Sequence, residues 1–493
     1  MYFTRTIAAC RAWPTPRART RFSFFAPALL IALFVMHEAD AQTLAWSAPL
    51  YGQVPPWQLA PFDENARGTL ADTSFMPDWD PDARSVMLLS DAGTPGVVLA
   101  GRAQIRDAFQ IQPPGTPWLA KIAQADGALL WTWHFADYAE GYFAEAVIGA
   151  DGDIVAVGTH FLPNYTAFGL FVIKIDAATG ALRWRVDGPM QDVFGTGVAL
   201  DAVGNVLVIG AHDWVAHEVT KYAGDTGALL WSAGVPDPDA WDDAIVVVDS
   251  DDNVVAAGGY EISDNGQILE DGIQVAKYRS SDGHLLWARR FVSSFGAMVH
   301  ALRILPGGDI AVAGGFADDI ELVRLRGDSG AVVWERADLD AQDMLVDDEG
   351  RIVVAGSPNA PDTIIPIEDI QRLDAANGTT LWRQELFART YSAAWRVRIG
   401  IDGQLLAGFT VEQGRDMFGA AGLDLATGAL RWWYAPIGVG ADDDRFPVGI
   451  LQGADGAIYY GGFNYIPADD QLTWTTFKLA PIAVDTIFLA GFD

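Results

Sequence analysis

One spacing recurs through this chain and leaves few folds open to it. A glycine stands four residues before a tryptophan seven times: Gly127 and Trp131, Gly180 and Trp184, Gly227 and Trp231, Gly283 and Trp287, Gly330 and Trp334, Gly378 and Trp382, Gly428 and Trp432. Asp, Thr, Ser or Asn precedes every one of these glycines. Ten residues before the tryptophan comes a basic residue in six units, namely Lys121, Lys174, Lys221, Lys277, Arg324 and Arg372, while Gly422 takes that place before Trp432. With Lys478 these account for every lysine in the chain. A polar residue followed by glycine marks a tight turn. A large aromatic at fixed distance beyond it belongs on a strand that buries it against a neighbouring unit.

A second signal lies upstream in each unit. Ala150–Gly158, Asp201–Gly210, Asp249–Gly258, Pro306–Gly315, Asp347–Gly356, Ile401–Gly408 and Ala454–Gly462 each join a polar turn to a run of β-formers and a closing glycine, and Asp91–Gly101 is a looser copy. Another apolar run precedes each turn. The unit therefore reads as strand A, tight turn, strand B, longer loop, strand C with the basic residue, glycine turn, strand D with the tryptophan. Eight such units of about 50 residues predict an all-β, eight-bladed propeller of four-stranded antiparallel blades. One blade cannot cover both of its faces, so blades must stack, and the tryptophan is the natural packing residue. The repeated Lys or Arg has the same structural reading, its stem over apolar surface and its head among acidic turns.

The eighth unit carries Lys478 but no tryptophan motif after it. Thr43-Leu-Ala-Trp46-Ser-Ala-Pro resembles Ala228-Leu-Leu-Trp231-Ser-Ala-Gly and could supply the missing strand from the other chain end. Phe488, ten residues after Lys478, is the alternative, but Val484 stands where the turn glycine is required. Shared by both chain ends, the last blade would leave no open edge. The expected organisation is a signal peptide at 1–41, an N-terminal strand and long loop at 42–83, the propeller at 84–481 and a tail at 482–493.

The first segment has the pattern of an export signal. Five arginines (Arg5, Arg11, Arg17, Arg19, Arg21) precede the apolar stretch Phe22–Met36, too short for a comfortable membrane span, and Ala39-Asp40-Ala41 fits a small-residue cleavage site. The expected location is periplasmic, extracellular or cell-surface, with no stable membrane anchor on the mature chain. Net charge is −32, and removal of 1–41 would bring it to about −35. So acidic a chain lacks the basic footprint that nucleic acid or an anionic membrane requires. The only cysteine, Cys10, lies inside the segment to be removed, so the mature protein has no disulfide.

The stretch Lys174-Ile-Asp176-Ala-Ala-Thr179-Gly180-Ala-Leu-Arg-Trp184 resembles the tryptophan-docking repeat of the pyrroloquinoline-quinone (PQQ)-like propellers, and Lys221–Trp231 and Asp424–Trp432 match it almost as well. Gly197–Gly210 is also similar to the repeat of secreted bacterial β-propeller repeat proteins. Together the resemblances span about residues 84–480. They imply an eight-bladed propeller and leave activity open: members include quinone-dependent dehydrogenases, an outer-membrane assembly lipoprotein, and secreted proteins without known activity. The enzymes imply PQQ in the central channel with Ca²⁺ held by carboxylate and amide groups and an Asp as base. The adjacent-cysteine disulfide of several of them is absent, as is the cysteine of a lipoprotein signal. The tail Asp485–Asp493 resembles a short C-terminal sorting tag of Gram-negative secreted proteins.

No serine nucleophile elbow, zinc HExxH or phosphate-cradling loop occurs, so no catalytic residue is assigned. His212 and His217 are the closest histidine pair, on what reads as a B–C loop. Acidic clusters are the better lead. Asp237, Asp239, Trp241, Asp242 and Asp243, and Asp442, Asp443 and Asp444, fall in expected D–A loops, and Asp318 and Asp319 in a B–C loop. In a meander both loop classes emerge at one end of the blade. The long segments Tyr260–Asp271 and Ser357–Asp369 fall at that end too. The expectation is a non-catalytic, monomeric scaffold that binds a protein, glycan or cation through this irregular acidic face. A quinone- or Ca²⁺-dependent oxidoreductase in the channel is the alternative. Asp249-Ser-Asp-Asp-Asn253 has the carboxylate density of a Ca²⁺ loop without its glycine.

Overall fold

The computed structural model describes residues 44–49, 86–103, 116–135, 140–162, 167–188, 193–212, 216–234, 239–264, 267–293, 298–315, 320–339, 341–356, 368–386, 392–412, 416–434, 447–466 and 471–480, the side chains at some strand ends excepted. They form eight four-stranded antiparallel sheets. Among them no helix is long and apolar enough to cross a membrane. The glycine turns act as expected: all seven motif glycines have φ between +67° and +76°, the left-handed region that only glycine enters without strain.

Seven sheets are blades contiguous in sequence. Their A strands are Val86–Ser90, Gly141–Ile148, Val193–Leu200, Asp239–Val248, Val299–Ile304, Asp343–Val346 and Ser392–Ile399, followed by Pro447–Gln452 in blade 8. Each A strand touches the A strand of the next blade, and blade 8 returns to blade 1, so these strands form the inner ring of the propeller. Apolar clusters fill the spaces between blades; one joins Val255, Ile273 and Val275 of blade 4 to Leu302, Val312 and Val323 of blade 5.

Blade 8 has three strands from its own segment and a fourth, Leu44–Pro49, hydrogen-bonded along Gln471–Leu479. Trp46 stands opposite Lys478. That is the pairing of Lys121 with Trp131, Lys174 with Trp184, Lys221 with Trp231, Lys277 with Trp287, Arg324 with Trp334 and Arg372 with Trp382. Trp46 thus occupies the register expected of the missing tryptophan. Phe488, the competing candidate, lies outside the described residues.

In blades 1 to 5 the basic residue and the tryptophan of one blade reach the same carbonyl oxygen of the next. Lys174 Nζ and Trp184 Nε1 both donate to the Gly224 carbonyl, at 3.0 and 3.1 Å. Lys221 and Trp231 share the Ser280 carbonyl at 3.1 and 2.8 Å, and Lys277 and Trp287 share that of Gly327 at 2.8 and 3.2 Å. Lys478 of blade 8 donates to Gln124 of blade 1 at 2.8 Å, which carries the series across the seam. The acceptor is always the third residue after the next basic slot. Each motif glycine from Gly180 onward lies against the indole of the preceding blade, so a side chain there would displace the ring.

The expectation that every motif tryptophan is buried needs correction. Trp131, Trp184 and Trp432 are, but Trp231, Trp287, Trp334 and Trp382 are half-buried. They sit on outer strands, with the next blade's turn covering one face of the ring and solvent reaching the other. Blade 7 departs furthest. Gly422 leaves room for Trp432 to turn inward, where its Nε1 donates to Gln404 Oε1 at 2.7 Å in place of a carbonyl on the next blade.

Candidate functional site

The turn end of the propeller is committed to structure. Six of the basic residues also pair with the aspartate of their own A–B turn, and three of these pairs are buried: Lys221–Asp201 at 2.8 Å, Lys277–Asp249 at 2.7 Å and Arg372–Asp347 at 2.6 Å; Lys121 instead donates to Ser90 and to the Ala92 carbonyl. Asp249 also accepts from the amides of Asp251 and Asn253 through Oδ1. The Asp249–Asn253 segment is therefore a capped turn with a lysine counterion, its carboxylate already engaged. His212 and His217 lie on strands Val206–His212 and Ala216–Tyr222, not on a loop, and His217 is buried against Gly258 of blade 4.

At the opposite end, Asp237, Asp318, Asp319, Asp442, Asp443 and Asp444 fall outside the described residues. Asp239, Trp241, Asp242 and Asp243, expected on a loop, belong to strand A of blade 4, where only their backbone is described. Tyr260–Asp271, which reads as an irregular loop, continues strands Val254–Asp264 and Gln267–Tyr278 as a long hairpin. Its register places Asp239 opposite Glu261 and Glu261 opposite Asp271, so these three acidic positions share one face of the blade. Glu261 and Asp271 are buried, and neither has a basic partner among the described residues. Glu270 accepts a 2.8 Å hydrogen bond from the Tyr260 hydroxyl. Burial, and then that bond, push the Tyr260 phenol far above its ordinary range.

A second polar cluster, which sequence reading missed, lies on the inner ring. Asp343 opens strand A of blade 6, between Arg303 on strand A of blade 5 and Arg396 and Arg398 on strand A of blade 7. Arg398 Nη1 donates to its Oδ2 at 2.7 Å and Arg303 Nη2 to its Oδ1 at 3.4 Å. The amides of Val397 and Met344 fill the remaining positions at 3.1 and 2.8 Å. Burial alone would raise the Asp343 pKa; the guanidiniums of Arg398, Arg303 and Arg396 outweigh it and hold the carboxyl below its ordinary value. Burial pulls Arg303 down, against the favourable charges of Asp343 and of Glu145 on strand A of blade 2.

Because the Asp343 pKa is depressed on folding, its stabilisation is complete above about pH 4, the ordinary aspartate value, and is lost as pH falls through the lower folded value. The urea midpoint should therefore drop on that acid limb, and Asp343→Asn should flatten that part of the profile. An unaltered acid limb in the variant would remove Asp343 from the account.

Residues 171–364 match the PQQ_2 family model, described as outer membrane protein assembly factor BamB. The chain is an eight-bladed propeller in which residues 171–364 are similar to the PQQ-like repeat. No curated protein matches it. Solved structures similar to this propeller include the quinohemoprotein alcohol dehydrogenase of Comamonas testosteroni, 12% identical over 92% of this chain and 79% of that one, TM-score 0.48. The quinohemoprotein alcohol dehydrogenase ADHIIG of Pseudomonas putida HK5 is 12% identical over 83% and 78%, TM-score 0.47. A protein of unknown function from Dyadobacter fermentans is 9% identical over 89% and 99%, TM-score 0.41. Similarity at this level concerns the fold alone and says nothing of what this propeller binds or does.

Proposed function

We propose that this propeller is an exported, non-catalytic binding scaffold whose irregular acidic end engages a protein, glycan or cation. The observation that carries the reading is the division of labour between the two ends. Lysines, arginines and indoles of the repeat are spent on inter-blade bonds at the turn end, whereas blade 4 sets Glu261 and Asp271 opposite each other with no described counterion. Like charges in directly opposed positions repel, an arrangement that a cationic ligand would relieve. A net charge of −32 would draw such a ligand to this surface. The export pattern of residues 1–41 agrees with a periplasmic or extracellular protein.

The rival reading is a quinone- and Ca²⁺-dependent dehydrogenase. Calcium needs several free oxygen ligands. Asp343 on the channel wall has both oxygens engaged twice over, and among the described residues no three His, Cys, Asp or Glu side chains gather as a metal-ligating group. No catalytic step follows from the described residues. Metal analysis and an absorption spectrum of protein purified from its native compartment test the choice. The scaffold reading expects no stoichiometric quinone. One quinone with one Ca²⁺ per chain would overturn it.

A further inference from the structure

Blade 4 ends in a long open edge. Its outer strand, Leu285–Ser293, runs for nine residues, against five to seven in the outer strands of the other blades. Among the described residues it pairs on one side only, with Gln267–Tyr278. Alternate residues of such a strand direct their N–H and C=O groups away from the sheet, where a further strand can take them. Solvent reaches the side chains as well: Leu286 and Val292 are 43% and 50% exposed, and Arg289 and Arg290 lie exposed between them.

The charge of this edge sets it apart. In a chain of net charge −32 it carries two arginines and no carboxylate. Outer-strand arginines elsewhere are neutralised: Arg183 by Asp176, Arg185 by Asp187, Arg336 by Asp338, Arg383 by Asp369 and Arg431 by Asp424. Arg290 is held by Gln274, whose Oε1 accepts from its Nε at 3.0 Å, and stands over the Tyr260 ring. The Arg289 guanidinium makes no hydrogen bond or ion pair among the described residues and rests 5.2 Å from the centroid of the Phe291 ring. Two copies of this edge would set arginine against arginine, which opposes pairing of the chain with itself. A strand of opposite charge meets no such barrier. Arg289 and Arg290 are adjacent and so project from opposite faces of the sheet. A matching strand therefore needs consecutive carboxylates, with apolar residues on either side to meet Leu286 and Val292. Asp271 stands opposite Ser293, so acidic residues placed beyond Val292 would be repelled.

We propose that the outer edge of blade 4 receives an extended acidic segment of a partner protein as a fifth strand, with consecutive carboxylates opposite Arg289 and Arg290. The site is separate from the acidic end, which would repel the same segment, so its test does not depend on the scaffold reading. The probe is a fluorescent peptide as long as the strand, capped at both ends, with Thr and Val alternating around a central Asp-Asp. Fluorescence anisotropy with the full chain should show saturable binding. Replacing the acidic pair by Asn-Asn should weaken it roughly three- to tenfold, the effect of a pair of exposed ion pairs. Arg289→Glu should weaken it at least as much, and the urea midpoint should stay in place because Arg289 has no ion pair to lose. The same peptide methylated on its backbone nitrogens should not bind, since it cannot form the ladder. Absence of saturable binding to the unmodified chain would overturn the proposal. So would a methylated peptide that binds as tightly as the plain one, or a folded Arg289→Glu variant that binds in full. A dimer of the chain that excludes the peptide would assign the edge to a second copy and overturn it too.

Discussion

Removal of residues 44–49 is expected to cost the propeller more than any single substitution. Leu44–Pro49 is the outer strand of blade 8, and its loss strips Gln471–Leu479 of its hydrogen-bonded neighbour. Lys478 would lose the tryptophan position opposite it, a pairing that blades 1 to 6 all retain. Each ladder hydrogen bond lost with the strand costs about 0.5–1.5 kcal/mol. The bared strand would also be an open edge available to other chains. The damage should spread beyond blade 8, because Lys478 and Tyr459 bond to Gln124 of blade 1. Urea unfolding of residues 42–493 and of residues 50–493 checks this: the midpoint should be sharply lower in the shorter form, which should also associate. Removing 482–493 should leave the midpoint in place. The reverse pattern would hand the closing role to the C-terminal tail.

The fold was legible because its repeat is mechanical. A turn that requires positive φ admits glycine, and the indole stacked on that glycine admits no side chain in its place, so Gly–x–x–x–Trp survives where most of the sequence around it varies. Register did the rest, down to the pairing of Trp46 with Lys478. Blade 7 was less legible. Gly422 looked like a lost basic residue, and only the packing shows that its missing side chain is what lets Trp432 turn inward onto Gln404. Tyr260–Asp271 was misread because its polar residues suggest a loop; the hairpin persists there because the outer strand, Leu285–Ser293, is lengthened to pair with it.

The channel cluster left the faintest trace. Asp343 and Arg398 are 55 residues apart, and Asp343 and Arg303 are 40 apart, so no local window contains the group. Each strand contributes only one or two charges, which ordinarily means solvated positions. The signal was there in the comparison of units. First strands are mostly apolar, and aligning the repeats puts Arg303, Asp343, Arg396 and Arg398, four of the charges that depart from this, on three successive blades.

The central claim is that the repeated basic residues hold blades together and are not a functional ring. Lys221 tests it most directly. Its ammonium sits 2.8 Å from Asp201 and 2.6 Å from the Ser280 hydroxyl, with only 7% of its side chain and 3% of that of Asp201 exposed. Burial would raise the Asp201 pKa, but Lys221 and Asn205 hold it below the ordinary value. Lys221→Met keeps the apolar stem, removes the charge and leaves a buried carboxylate without its partner, a change worth about 3–5 kcal/mol. Urea denaturation near neutral pH should show a midpoint lowered to that extent. A variant that unfolds at the midpoint of the unmodified protein would contradict the account and return the lysines to the list of functional residues.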